Sequence, residues 1–201
     1  PNGINPSVFR PLPGVSREPG RVIVTNSADT PLKGLTYLLE AVAHIRRRRS
    51  IHLVVIGRPK PRGVIARRVR ELGLASHVTF TGRISDAAFV QEYARAAMAV
   101  VPSVYEGFGL PAGEAMACGL PVIATTGGAL PEVVGDAGVL VPPRSAAALA
   151  GAIEDLLDHP AKAESLGRKG YARVHAQFTW RRAAERTVAA YREAIDDYRR
   201  P

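Results

Sequence analysis

Cysteine is almost absent from this 201-residue sequence, which contains only Cys118. A single cysteine cannot form an intrachain disulfide, so cysteine usage does not constrain the redox compartment of the protein. Cys118 lies between Ala117 and Gly119 in a segment with a helical pattern. We therefore interpret it as a small buried residue rather than as a nucleophile.

Long hydrophobic runs are missing as well. No stretch of about 18 apolar residues occurs, and the first residues do not combine a charged segment with an apolar one. We therefore expect neither a membrane-spanning segment nor a secretory leader, and we expect a cytoplasmic location. A peripheral contact with the cytoplasmic face of a membrane stays open.

Aromatic residues and metal-binding motifs are also scarce. The formal net charge is +9, yet only 6% of the residues are aromatic, and most arginines lie beside Glu or Asp on predicted helices. Nucleic-acid readers interleave aromatic side chains with their basic residues, so we do not expect nucleic acid as a partner. His-Glu-x-x-His, Cys-x-x-Cys and Walker-type motifs are absent, so no protein-bound metal is expected.

Short apolar segments alternate with helical patterns along the chain. Residues 51–57 are almost all apolar, as in strands that are buried on both faces of a parallel sheet. We predict strands at residues 21–26, 51–57, 78–81, 98–101, 121–124 and 138–141. The alternation predicts an α/β fold with about six parallel strands flanked by helices, and a ligand site at the carboxyl ends of the strands.

The helices and the domain limits follow from the same patterns. We predict helices at residues 63–74, 111–117, 130–134 and 160–177, with further helical patterns after residues 34, 145 and 179. Asp86 is expected to cap a helix that runs to about residue 97. Residues 1–20 hold five prolines and three glycines, which is typical of a linker. Residues 21–201 are then one domain, with C-terminal helices from about residue 145.

Residues 102–121 carry the densest group of candidate functional residues. Gly107 and Gly109 follow a predicted strand and precede a helix, so backbone amides at the helix start could approach an oxygen-rich ligand closely. Glu106 and Glu114 bracket this loop, and carboxylates accept hydrogen bonds from hydroxyl groups such as those of sugars. Taken alone, the two glutamates would more simply be a helix cap at Glu106 and a solvated residue at Glu114.

The whole stretch resembles the Glu-x7-Glu signature of the retaining family-4 glycosyltransferases, whose fold is of the GT-B type. The residues that carry the resemblance are Glu106-Gly-Phe-Gly-Leu-Pro-x-x-Glu114-Ala-Met-Ala-x-Gly119-x-Pro121-Val-Ile. It implies a Rossmann-like donor-binding domain, which is one half of a GT-B fold. It further implies that Glu106 contacts the donor sugar, that Glu114 accepts ribose hydroxyls, and that Gly107, Phe108, Gly109 and Leu110 belong to the donor-binding loop.

A second part of the resemblance lies after the first strand, where Lys33-Gly34 matches a Lys-Gly pair whose lysine contacts the donor diphosphate in that family. The family's usual Gly-Arg-Leu is absent, because Thr25, Asn26 and Ser27 occupy that region and no arginine occurs between Arg21 and Arg46. The diphosphate would then rely on Lys33, on loop amides, and on Arg58 or Arg83.

Gly57 with Arg58, and Gly82 with Arg83, are the weaker matches. Each pair follows a predicted strand, and the resemblance places such residues near the nucleotide of the donor. The family usually has Gly-x-Gly-Pro after the second strand, and this sequence keeps only the first glycine, Gly57. A nucleotide contact from Gly57 or Arg58 is therefore less specifically implied than one from Gly82 or Arg83.

Both ends of the sequence carry further matches. Pro1-Asn2-Gly3-Ile4-Asn5 resembles the segment that joins the two halves of these glycosyltransferases, so we expect an N-terminal, acceptor-binding half as the partner of this chain. Near the other end, a turn containing Trp180 precedes a helix with an apolar stripe. The resemblance implies that this helix returns toward the N-terminal half, while its periodicity fits a core-facing helix of the same domain equally well.

These observations predict the donor-binding half of a retaining hexosyltransferase that uses a nucleoside diphosphate sugar, such as a UDP or GDP sugar, and no other cofactor. The base, the sugar and the acceptor, whether lipid, glycan or small molecule, are not specified. A noncatalytic nucleotide-binding or interaction module is the main alternative, and a sugar-nucleotide epimerase is a weaker one. Without an acceptor-binding half, we expect residues 1–201 to transfer no sugar.

Overall fold

A six-stranded, all-parallel sheet with helices on both faces forms the body of the protein, which confirms the predicted fold class. The computed structural model describes residues 2–25 and 30–199. The strands are β1 (Arg21–Thr25), β2 (His52–Ile56), β3 (Val78–Gly82), β4 (Met98–Val101), β5 (Val122–Thr125) and β6 (Val139–Val141). The helices are α1 (Leu35–Ile45), α2 (Val64–Glu71), α3 (Asp86–Arg95), α4 (Leu110–Ala117), α5 (Leu130–Val134), α6 (Ala146–Asp158), α7 (Pro160–Gln177) and α8 (Trp180–Arg199).

The strand order is β3-β2-β1-β4-β5-β6, so the chain proceeds outward from β1 in one direction and then returns to its other side. β1 pairs with β2 along its whole length, Arg21 opposite His52 and Thr25 opposite Ile56. On its other side β1 pairs with β4, Val22 opposite Met98. In open parallel sheets a crevice forms where the strand order reverses, outside the carboxyl ends of the strands. That position lies here between β1 and β4.

Two hydrophobic clusters cover the two faces of the sheet. Successive side chains of a strand point to opposite faces, and β1 shows this directly: Val22 and Val24 join one cluster while Ile23 joins the other. The first cluster is closed by α1, α2 and α6, and the second by α3, α4, α5 and α7. Burial on both faces explains why the central strands are apolar throughout rather than alternating.

The N-terminal segment, residues 2–20, contains no helix or strand longer than a single bridge among its described residues, and it packs on the domain. Ile4 is buried, and its backbone N–H donates to the Phe178 carbonyl at 2.6 Å. Further along, Arg17 donates to the carbonyl of Ala96 at 2.8 Å, and Glu18 N–H donates to the carbonyl of Arg95 at 2.8 Å. The segment is therefore tied to the domain at both of its ends.

Several element limits differ from those predicted. The prediction that Asp86 caps α3 is wrong, because the Ser85 hydroxyl accepts from the backbone N–H of Ala88 at 3.3 Å and Asp86 is the first helical residue. An acidic residue there still lies favourably near the positive end of the helix dipole. α3 ends at Arg95, two residues early, since Ala96 is extended. α2 is shorter than predicted because Gly73 turns the backbone into the left-handed region.

The last helix does not turn its apolar stripe toward the core. Val188, Tyr191, Ile195 and Tyr198 are all between about half and nine-tenths exposed, whereas Ala183 is buried. The core-facing interpretation of this stripe is therefore wrong. Among the helices that the structure describes, none combines the length and the apolar character needed to cross a bilayer.

Candidate functional site

Lys33 reaches the switch point of the sheet through the connection that follows β1. A short 3-10 turn, Pro31–Lys33, ends at Gly34, whose φ of +67° lies in the left-handed region. A Cβ atom at Gly34 would stand 1.9 Å from the Pro102 carbonyl oxygen, so only glycine lets this connection lie against the end of β4. The backbone N–H of Val104 also donates to the Leu32 carbonyl at 2.7 Å. The loops after β1 and β4 are thus joined.

The Glu106 carboxylate is the buried centre of this region, at 9% exposure. Its Oε1 atom accepts from the Lys33 ammonium at 2.6 Å and from the Ser103 hydroxyl at 2.9 Å. The ammonium neutralises the buried charge, which would otherwise be costly to remove from water. The proposal that Glu106 serves as a simple helix cap is wrong, because α4 has no side-chain cap and begins after Gly109.

The loop after β5 holds the main chain of Glu106. Gly127 and Gly128 pack so closely that a Cβ atom would stand 2.4 Å from the Val104 oxygen and 2.2 Å from the Glu106 oxygen, respectively. The next residue, Ala129, donates its N–H to the Glu106 carbonyl at 2.9 Å. Three loops, which follow β1, β4 and β5, therefore fix one carboxylate at the carboxyl edge of the sheet.

The glycine loop next to Glu106 leads directly into α4. Gly109 adopts a φ of +94° at the start of the helix, and Leu110 is the first helical residue and is 41% exposed. Nothing lies within 4 Å of a Cβ position at Gly107, while Phe108 packs edge-on against Phe178 with ring centroids 5.9 Å apart. Pro111 has no N–H, and the N–H groups of Ala112 and Gly113 donate to the Gly109 carbonyl. Among the described residues, the amides left to meet an oxygen-rich ligand are therefore those of residues 107–109 and of Leu110.

Glu114 lies on α4 and is separated from the Lys33–Glu106 pair. Its side chain is half-buried near Asp86 and the fully buried Tyr93 ring, and burial, followed by repulsion from Asp86, raises the pKa of Glu114 to about 7. Within the described part of the chain, its carboxylate accepts no hydrogen bond. Glu114 is therefore not the fully solvated residue of the simpler interpretation, and hydroxyl donors from a ligand could satisfy it.

Gly57, Arg58, Gly82 and Arg83 form a second group at the ends of β2 and β3. Gly82 N–H donates to the Gly57 carbonyl at 3.1 Å, and the Arg58 guanidinium lies over Gly82, 3.4 Å from its Cβ position. Both arginines are exposed. Across residues 2–25 and 30–199, neither arginine bonds to Glu106, and β1 lies between them and β4.

Thr25 ends β1, and its hydroxyl lies 3.4 Å from that of Tyr93. Asn26 and Ser27, which occupy the region of the missing arginine, lie outside the described residues. A group of three or more histidines, cysteines or carboxylates that could hold a metal is not found in the part of the chain with described coordinates.

A groove of about 710 Å³ lies elsewhere. It is at the opposite edge of the sheet, beside Met98, Pro121 and Leu157, where strands begin rather than end. Its lining is mainly apolar, and the Arg17 guanidinium there donates to the carbonyls of Ala96 and Gly119. Polar groups that converge on one point therefore mark the Lys33–Glu106 edge, rather than this groove, as the candidate site.

Two residues of the site were not found by sequence reasoning. Ser103 was included in the central stretch without a role, and Thr125 was assigned to the turn after the fifth strand although it is the last residue of β5. A serine three residues before a loop glutamate, and a threonine at a strand end, are the only signals that the sequence offers for them.

Comparisons with known proteins identify relatives of this chain. Residues 19–159 match the sequence pattern of the family described as Glycosyl transferases group 1. The MMP alpha-(1->4)-mannosyltransferase of Mycolicibacterium hassiacum is 40% identical over 198 residues, which are 97% of this chain and 48% of that protein.

Solved structures of glycosyltransferases share the fold of this chain. Sucrose-phosphate synthase from Thermosynechococcus elongatus superposes with a TM-score of 0.84 at 36% identity, over 98% of this chain and 52% of that one. The C-terminal domain of a glycosyl transferase group 1 family protein from Francisella tularensis is matched over its whole length, with a TM-score of 0.77 at 28% identity and 89% of this chain covered. The chain spans about half the length of the two longer relatives. It belongs to the glycosyl transferases group 1 family.

Proposed function

We propose that this chain is the donor-binding half of a retaining glycosyltransferase that moves a hexose from a nucleoside diphosphate sugar to an acceptor. The observation that carries the proposal is the Lys33–Glu106 pair, 2.6 Å apart, beside the uncapped start of α4 at the switch point of the sheet. A cation and free amides suit a diphosphate, and a carboxylate suits sugar hydroxyls.

In this proposal each residue has one task. The leaving diphosphate gathers negative charge during transfer, and Lys33 with the amide at the start of α4 stabilises that charge. The amides of Gly107, Phe108 and Gly109 contact the hexose. Glu106 orients the sugar and Glu114 the ribose. Apart from the donor substrate no cofactor is required, and the retaining outcome is the one that the Glu-x7-Glu resemblance implies.

The relatives support a hexosyl donor, since one is named a mannosyltransferase and another a sucrose-phosphate synthase. Because those proteins are about twice as long as this chain, we propose that an acceptor-binding half completes the active site. The exposed stripe of α8 offers an apolar surface to such a partner. The nature of the acceptor, a cytoplasmic location and any membrane contact stay predictions.

A noncatalytic nucleotide-binding module is the second candidate. The observation that favours it is the absence of any arginine between Arg21 and Arg46. The family that this sequence resembles commonly has an arginine there, which makes a second contact with the donor phosphates. Such a module would still bind nucleotide but would not support transfer in the presence of an acceptor-binding half.

Calorimetric titration with UDP, GDP and ADP and with their glucose and mannose derivatives tests the proposal. We expect one base to be preferred, and we expect Glu114→Ala to weaken binding of that nucleotide by roughly 1.5–3 kcal/mol, the usual contribution of a hydrogen bond to a charged group. Glu193→Ala, on the exposed α8, is the matched control. Absence of binding by every nucleotide in the panel would contradict the proposal.

A further inference from the structure

We infer that Ser103, held in place by Thr125, is a positioning residue for the Glu106 carboxylate. The inference rests on the proposed function, in which Glu106 contacts the donor sugar. Neither side chain reaches a ligand in this account. Their role is to hold the carboxylate in one orientation through a buried chain of hydrogen bonds.

The chain of hydrogen bonds is short and fully buried. Ser103 is 2% exposed and Thr125 is 0% exposed. The Ser103 hydroxyl donates to Glu106 Oε1 at 2.9 Å, and the Ser103 carbonyl accepts from the Thr125 hydroxyl. The Thr125 oxygen in turn accepts from the backbone N–H of Gly127 at 3.2 Å.

The direction of these bonds is determined by their backbone ends. A hydroxyl has one proton, and an N–H can only donate, so Gly127 makes the Thr125 oxygen an acceptor and leaves its proton for the Ser103 carbonyl. The carboxylate likewise makes the Ser103 hydroxyl a donor. The hydrogen bond from Thr125 to the Ser103 carbonyl thereby joins the end of β5 to the loop after β4. It does so at Ser103, the residue whose hydroxyl holds Glu106.

Lys33 and Ser103 share Oε1 of Glu106, and this sharing explains why a neutral donor is needed. A diphosphate near Lys33 would compete with Glu106 for the ammonium. Once the ammonium turns toward phosphate, Ser103 is the donor among the described residues that still holds Oε1. The other oxygen, Oε2, then faces the sugar in a defined orientation. Without Ser103 the carboxylate could rotate or follow Lys33.

Measurements of ligand binding, rather than of protein stability, test the positioning role of the Ser103 and Thr125 hydroxyls. For wild type and variants, the ratio of the Kd for UDP to the Kd for UDP-glucose, and likewise for GDP and GDP-mannose, isolates the contribution of the sugar. We expect Ser103→Ala and Thr125→Val to lower this ratio by about 5- to 10-fold for the donor that binds, because the effect on the sugar is indirect and comparable to the loss of one ordinary hydrogen bond. The Kd for the nucleoside diphosphate itself should change less than about twofold.

Three further variants serve as references. Thr125→Ser keeps the hydroxyl and should restore the wild-type ratio. Thr187→Val removes a hydroxyl that donates to the Ala183 carbonyl on α8, remote from the site, and should leave the ratio unchanged. Glu106→Gln gives the ratio expected when the carboxylate itself is lost. Near-ultraviolet circular dichroism confirms that each variant is folded.

The outcomes separate the two proposals. An unchanged ratio in Ser103→Ala and Thr125→Val, or a parallel loss for both ligands, would overturn the positioning role while the donor-binding function stands. Failure of the wild-type chain to bind any member of the UDP, GDP and ADP panel would instead remove the proposed function. If Ser103→Ala does not fold, the comparison of Thr125→Val with Thr125→Ser decides the question.

Discussion

The ion pair between Lys33 and Glu106 contributes little to stability by its mere presence. Taking two charges out of water costs free energy that their attraction only approximately returns, so a half-buried pair is weak evidence for a structural role. The Lys33 side chain is 29% exposed, whereas that of Glu106 is 10% exposed. The lysine is thus the partner that can turn toward a ligand while the carboxylate stays.

Substitution of Lys33 tests this asymmetry. Lys33→Ala should weaken binding of a nucleoside diphosphate by about 10- to 100-fold, because an ammonium makes charge-assisted bonds to phosphate oxygens. Binding of the free nucleoside, which has no phosphate, should change less than about twofold. Calorimetry with both ligands measures the difference. Lys169→Ala, an exposed lysine on α7, is the control, and equal losses for both ligands would point to a different site.

The half-buried Glu114 predicts a pH dependence of stability. Its pKa is about 7 in the folded protein, above the usual 4.5, because burial disfavours the charged form. Between pH 4.5 and about pH 7, Glu114 keeps its proton in the folded protein but has released it in the unfolded chain. The contribution of Glu114 to the free energy of unfolding therefore falls as pH rises through this range.

Glu114→Gln, which is neutral throughout, should therefore gain about 1–3 kcal/mol over wild type between pH 4.5 and pH 8. Urea unfolding at several pH values gives the comparison, in which the titration of all other groups cancels. A stability difference that does not change with pH would contradict the burial of this carboxylate.

At the scale of elements, the connection from β1 to α1 depends on a close backbone contact. Gly34 has a φ of +67°, and a Cβ there would overlap the Pro102 oxygen. Gly34→Ala should therefore lower the free energy of unfolding by about 2–4 kcal/mol, from backbone strain and overlap together.

Gly14→Ala is the matched control for this substitution. Its φ is +82°, but nothing lies within 4 Å of the Cβ position. Its cost should be about 1 kcal/mol, which is the strain alone. If urea unfolding shows equal costs for both variants, the packing of the β1 connection against β4 is not as described.

α8 is the element that is least supported by its own domain. Tyr191 is 67% exposed and Ile195 is 49% exposed, so replacing each by Glu should change the free energy of unfolding of the isolated chain by less than about 0.5 kcal/mol. Ala183→Glu, on the buried side of the same helix, should destabilise by about 2 kcal/mol or more, because it buries a charge. Thermal unfolding compares the three variants. A large loss at Tyr191 or Ile195 would mean that the stripe is packed in the isolated chain.

At the scale of the whole molecule, binding and transfer should separate. Residues 1–201 should bind the donor nucleotide with a Kd between about micromolar and millimolar, or roughly −8 to −4 kcal/mol. Transfer also requires the acceptor to be held in near-attack geometry in a site closed to water, and positioning of that kind contributes effective molarities of about 10⁵ M or more. In the proposed function residues 1–201 form one half of the cleft, so we expect them not to supply that positioning.

Transfer is measured as the release of nucleoside diphosphate that occurs only when an acceptor is present. We expect none from residues 1–201 alone and recovery when an acceptor-binding half is added, joined or separate. Turnover by the isolated chain would refute the proposal that the site is shared between two halves.

The sequence by itself determined the elements and the class of the fold. The four inner strands, β1, β2, β4 and β5, are recognisable because a strand buried on both faces is apolar along most of its length. The helix limits at residues 130–134 and 160–177 agree with those predicted. The conjunction of Glu106, Gly107 and Gly109 between a strand and a helix likewise identified the candidate site, since in parallel sheets ligand sites lie where strands end.

Only the tertiary structure decided which residues meet. Lys33 and Glu106 are 73 residues apart in sequence, and their pairing follows from the strand order, which brings the ends of β1 and β4 together. The same holds for Ser103 and Thr125, whose hydrogen bond crosses from one strand end to the next. The direction of the α8 stripe was equally undetermined, because periodicity shows that one face is apolar but not what covers it. Local patterns specify elements, whereas contacts between distant residues depend on the order in which those elements pack.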